Sequence, residues 1–164
     1  MTLLEVLVVI AIMAIVLGLA NFSFQGGGQR QARINGEKLT GQINHATLLA
    51  TLRGTSMGLA FSDHQYQFMQ RVQISEATTE WEPADQRGLN KVTELSSNGR
   101  LHLMLDSTPL ALSAHIPDTP QLQFTPSGEL PDFELLIAAS GTDYTVSADP
   151  ALFNAVLATN SAKQ

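Results

Sequence analysis

The spacing of apolar and polar positions divides the chain into an apolar start, a helical stretch and an alternating remainder. Between Thr2 and Ala20 there is one charge, Glu5, and the apolar character continues through Phe22 and Phe24. About 20 apolar residues at a rise of about 1.5 Å each cover a hydrocarbon layer of about 30 Å, so residues 1–25 are expected to form a membrane-spanning helix. A secretory signal peptide would need a basic n-region and a clean small-x-small cleavage site, and neither is evident. A soluble helix apolar on all faces would need more cover than a chain of this size can supply. Gly26, Gly27 and Gly28 then weaken the helix by about 3 kcal/mol relative to alanine, which reads as a hinge or as a plain flexible linker. Over residues 29–54 the apolar positions Ile34, Leu39, Ile43, Ala46, Leu49, Ala50 and Leu52 fall mostly three and four apart, predicting an amphipathic helix capped by Gly54.

From Met57 the period becomes two. Met57–Phe61 and Tyr66–Val72 flank Ser62–Gln65 as a hairpin, while residues 73–99 are polar and poorly patterned, with Trp81 as their one anchor. Strands are predicted at Leu101–Leu105, Leu110–Ile116, Gln121–Phe124, Phe133–Ile137 and Tyr144–Ser147. A turn is marked by Thr125-Pro126-Ser127-Gly128. Residues 149–160 allow a helix capped by Asp149-Pro150 or a last strand around Phe153–Leu157, and the strand is preferred. The expectation is α+β: a long N-terminal helix packed on an antiparallel, sandwich-like β-domain spanning residues 55–164.

Composition narrows the chemistry. The 164 residues contain no cysteine, which removes disulfide scaffolds, thiolate zinc sites and thiol catalysis. A net charge of -6 disfavours a polyanionic partner, and the C-terminal segment Ala158–Gln164 carries one lysine and no arginine, so no nucleic acid is expected. Gly54-Thr55-Ser56-Met57-Gly58 fits the serine-hydrolase elbow pattern, but that elbow needs a strand before it and a helix after it, the reverse of the order here. His45, His64, His102 and His115 are dispersed, and Asp63, Glu76, Glu80, Glu82 and Asp85 read as solvated loop carboxylates. Neither metal nor cofactor is expected, and no enzymatic activity.

Glu5 carries the most information. A carboxylate in an apolar helix costs about 2.5–3.5 kcal/mol on insertion scales and marks function. Lying one turn from the chain start, it either snorkels to the interface or finds a cation on a neighbouring chain; spacing alone leaves both open.

Thr2-Leu3-Leu4-Glu5-Val6 followed by an apolar helix resembles the N-terminus of mature type IV pilins and type II secretion pseudopilins. Leu122–Phe133, with Phe124, Pro126, Ser127, Gly128 and Phe133, is similar to a stretch of the H-type minor pseudopilins of type II secretion, a branch that includes FimT-like minor pilins. Ala46–Phe61 is similar to that group too. The resemblance implies a basic leader removed by a prepilin peptidase and N-methylation of the new first residue. Met1 holds that place, where the family usually has phenylalanine. It further implies that Glu5 neutralises the N-terminal amine of an adjacent subunit. Residues 1–25 would serve as the anchor in inner-membrane lipid and as the filament core, with the β-domain in the periplasm. Partners would be the major and other minor pseudopilins, near the tip of the pseudopilus. The alternative is a FimT-like pilin that binds DNA. Arg30, Arg33 and Lys38 follow the span, and by the positive-inside rule they favour the opposite topology.

Overall fold

The computed structural model describes residues 5–14, 27–94, 100–139, 142–149, 151–152 and 154–160. Residues 5–14 form helix α1, and Gly27–Arg53 form helix α2. Ten strands follow among the described residues: β1 (Met57–Phe61), β2 (Gln65–Ser75), β3 (Thr78–Pro83), β4 (Thr93–Glu94), β5 (Arg100–Leu105), β6 (Thr108–Leu110), β7 (Leu122–Phe124), β8 (Phe133–Ala139), β9 (Thr142–Asp149) and β10 (Asn154–Asn160). They build two antiparallel sheets. The first runs β3-β2-β1-β7 with β4 also on β2; the second runs β10-β9-β8-β5-β6. Both sheets touch α2, the second through β8, β9 and β10 and the first through β1 and β7. The α+β expectation holds. The expected span does not enter this description: residues 15–26 lie outside it, and no helix among the described residues is long and apolar enough to cross a membrane.

Helix α2 starts two residues earlier than its pattern suggested, so Gly27 and Gly28 belong to its first turn, while Gly26 is outside the described residues. It ends where expected: Gly54 adopts φ 63°, and the Thr55 N–H donates to the Ala50 carbonyl at 3.2 Å, closing the last turn. The buried face consists of Ala32, Gly36, Leu39, Ile43, Ala46, Thr47 and Ala50. Ile34 and Leu52, placed on the inner stripe by their chemistry, are instead 45% and 72% exposed. Small residues decide the difference. A Cβ at Gly36 would stand 2.7 Å from Leu157 Cδ1, so the helix meets β10 where its side chains vanish rather than where they are largest.

The core joins Leu39, Ile43, Ala46 and Ala50 to Leu59, Phe61, Phe68 and Phe124 of the first sheet and Leu103, Leu135, Ile137 and Val146 of the second. Each large side chain withdrawn from water in this way contributes about 1.5–3 kcal/mol.

Three sequence expectations need correction. Residues 73–99 contain a strand, β3, which lies exposed along β2 and is held by backbone pairing rather than by an apolar face. Trp81, opposite Arg71, is only half-buried and anchors no core. The strand expected over Leu110–Ile116 is displaced to Thr108–Leu110 because the chain reverses at Asp106-Ser107, both at positive φ (47° and 60°) in a two-residue hairpin turn without glycine. Residues 149–160 do end in a strand, β10.

Two side-chain amides complete the sheets. Asn44 of α2 accepts from the Ala155 N–H at 2.7 Å and donates to the Ala155 carbonyl at 3.1 Å, imitating a neighbouring strand on the outer edge of β10. Gln121 does the same for Phe61 at the end of β1, at 2.8 and 2.9 Å. Such pairing satisfies backbone groups that would otherwise stand open on an edge. Asn44→Ala is expected to destabilise the full chain by about 1–3 kcal/mol, read as a lower midpoint in urea with unchanged slope.

Candidate functional site

Glu5 is the first described residue of α1 and is exposed, as are the apolar side chains Val6, Leu7, Val8, Val9, Ile10, Ile12 and Met13 behind it. Met1, the other half of the expected ion pair, lies outside the described residues. Among the described residues no side chain covers this apolar stretch of α1, and an apolar surface of this kind is suited to interaction with other apolar groups.

The stretch from Phe124 to Phe133 is a crossover between sheets. Phe124 lies in β7 of the first sheet and Phe133 in β8 of the second, and both rings are buried. Between them the Gly128 N–H donates to the Thr125 carbonyl at 3.0 Å, and Gly128 takes φ 83°, a conformation that Pro126-Ser127-Gly128 is built to supply. Thr125 and Ser127 hydroxyls share a hydrogen bond of 2.7 Å. The turn lies against α2: a Cβ on Gly128 would stand 3.3 Å from Thr51 Oγ1. The motif therefore seats one aromatic ring in each sheet and docks the connection onto the helix.

The other motif residues have structural settings. Residues 54–58 run from the helix cap into β1, and a Cβ on Gly58 would meet Pro120 Cγ at 2.4 Å, so this glycine permits a close chain approach. His64 contacts Asp63 in the hairpin turn; His45, His102 and His115 are exposed and dispersed. Among the described residues no group of three or more His, Asp or Glu side chains could hold a metal ion.

One arrangement has no signature in the sequence. The Tyr66 hydroxyl, 2.9 Å from Gln42 Oε1, donates to it, and Gln42 Nε2 donates to the Gly88 carbonyl at 2.6 Å. Leu89, next in the chain, is buried in the core. Together these bonds fix the loop 84–92 against the middle of α2. Burial is the main cause that pushes the Tyr66 phenol up to about 12, with a hydrogen bond to Thr93 opposing it. A folded-state value raised above the ordinary 10.0 keeps its contribution to stability below pH 10 and loses it as pH rises towards 12. Tyr66→Phe is therefore expected to flatten the fall in stability between about pH 10 and 12, measured by urea midpoints across that range.

The type II secretion system protein H of Pseudomonas aeruginosa is 31% identical over 153 residues, covering 87% of this chain and 84% of that protein. The chain belongs to the type II secretion system protein H family. No family model matches it. Among solved structures, the fold of this H-family chain is shared by the minor pseudopilin EpsH from the type II secretion system of Vibrio cholerae. One EpsH structure matches with TM-score 0.64 and 19% identity over 82% of this chain and 98% of EpsH, and another with TM-score 0.60, 18% identity and 82% and 99% coverage. The solution structure of E. coli GspH matches with TM-score 0.60 and 20% identity, covering 82% of this chain and 91% of GspH. The H-family alignment covers 87% of the chain, so the likeness is to the whole rather than to one motif.

Proposed function

We propose that this H-family chain is a minor pseudopilin: a structural subunit of the type II secretion pseudopilus, near its tip, that supports protein export across the outer membrane. The observation that carries this reading is the 31% identity to a protein H over 84% of that protein's length. In this reading residues 1–25 anchor the subunit in the inner membrane and then pack into the filament core. The glycines 26–28 act as the hinge through their low helix propensity, although Gly27 and Gly28 are helical in the single chain, residues 29–54 carry the β-domain, and residues 55–164 stand in the periplasm. A prepilin peptidase matures the chain and Met1 receives the N-methyl group. Glu5 neutralises the terminal amine of an adjacent subunit, turning two costly buried charges into one pair and setting the axial register. The chemistry is assembly, and the partners are other pseudopilins.

Disruption of the gene in its host is expected to lower secretion through the type II pathway, and the wild-type chain to restore it. Unchanged secretion after disruption would overturn the reading. In a gel-shift at physiological salt, duplex DNA is expected to migrate without retardation, as the net charge of -6 implies. Retardation of DNA would favour a FimT-like role instead.

A further inference from the structure

We propose that the groove between the middle of α2 and the loop 84–92 is a docking site for a short acidic, carboxylate-bearing segment of a partner protein. The groove is open, about 600 Å³ in volume, and draws Lys38 from α2 and Arg87 and Lys91 from the loop. The whole chain has 9 Lys and Arg residues against 15 Asp and Glu, so a third of its cations converge on one cavity of an acidic protein. All three are exposed, and among the described residues none of them forms an ion pair. Arg33 and Arg53, by contrast, are paired with Glu37 and Asp85. Glu94, the one carboxylate lining the groove, is engaged by the Gln65 side-chain amide at 2.8 Å.

The site is built rather than incidental. Arg87 and Lys91 flank the buried Leu89, and the loop between them is held to α2 through the Tyr66–Gln42–Gly88 bonds. The Leu89 and Asn90 N–H groups both donate to the Gln86 carbonyl at 3.0 Å, tightening the turn. The three cations are thus presented from a fixed frame, which lowers the ordering cost of binding. Exposed Val92 and Asn90 add an apolar contact and an amide suited to a peptide.

Position and charge select the partner. Lys38 lies eleven residues beyond Gly27, about 16 Å along the helix axis and farther than the ~8 Å Debye length at physiological salt. A headgroup layer at the start of α2 would therefore be screened from it. A nucleic acid gains affinity by tracking many phosphates along an extended basic surface, whereas these three cations are confined to one groove on a chain of net charge -6. A short acidic peptide needs only the groove, where three cations outnumber the one carboxylate, Glu94. The exclusion of a lipid partner rests on the proposed anchoring of residues 1–25, while the groove itself does not depend on Glu5.

The test uses the full chain, ¹⁵N-labelled in neutral detergent micelles and titrated with a blocked hexaglutamate peptide. Amide shifts are expected at Lys38 and across 87–94, weakening as salt is raised. The triple variant Lys38→Gln/Arg87→Gln/Lys91→Gln should bind about tenfold more weakly. A control of equal charge change, Arg30→Gln/Arg33→Gln/Arg71→Gln, should bind as the wild type does, with circular dichroism verifying that both variants fold. The other arms are a single-stranded 12-mer oligonucleotide and phosphatidylglycerol vesicles. No response to the peptide, shifts spread beyond the groove, equal loss in the control, or a stronger response to oligonucleotide or vesicles would each overturn the proposal.

Discussion

Glu5→Ala is expected to leave the β-domain folded and membrane insertion intact while cutting incorporation into the pseudopilus about a hundredfold or more. Under the proposed function, Glu5 and a neighbour's terminal amine are buried together, and removing one partner leaves the other charged and unpaired at a cost of about 3–5 kcal/mol. Glu5→Gln should fail nearly as badly, because an amide restores the shape but not the charge. The measurement is the fraction of the chain recovered in sheared pseudopili, with circular dichroism of the detergent-solubilised chain as the folding control. Normal incorporation of either variant would remove the pairing role. Glu5 is exposed on α1 with exposed apolar side chains behind it, and among the described residues none covers them.

The second large effect concerns stability. Phe124→Ala should destabilise the full chain by about 3–5 kcal/mol, because the ring is fully withdrawn from solvent in β7 and its removal opens a cavity between the first sheet and α2. At roughly 2–4 °C per kcal/mol for a chain of this size, the thermal midpoint falls by about 10 °C. Substitution at the exposed Ser127 of the same motif should move the midpoint little. A small loss at Phe124, or a large one at Ser127, would contradict the view that the motif works through its aromatic ends. Assembly defects of Phe124→Ala would then follow from lost folding rather than from a lost contact surface.

Much of the architecture could be read from residue patterns. The switch from helical to alternating spacing near Met57 is sharp, since Gly54 must cap the helix and Met57–Phe61 can only be buried as a strand. The hairpin β1–β2, strands β5, β8 and β9, and the turn at Pro126-Ser127-Gly128 followed from the same logic. Strand β3 was invisible because an exposed strand, paired along one edge, needs no apolar alternation. The β5–β6 turn escaped because Asp106-Ser107 takes positive φ without a glycine to announce it.

The local sequence, then, determined the helix, its cap, most strands and the tight turns, because these depend on side-chain period and backbone conformation over a few residues. The stripe Leu39, Ile43, Ala46 and Ala50 is buried as its spacing predicts, whereas tertiary structure alone decided that Gly36 lies beneath Leu157 and that Ile34 and Leu52 stay outside. Only the fold, too, could seat Phe124 and Phe133 in different sheets, pair Asn44 with Ala155 and gather Lys38, Arg87 and Lys91 around one groove. Contacts between residues dozens of positions apart are set by how sheets stack and helices lie across them, and no local period encodes that.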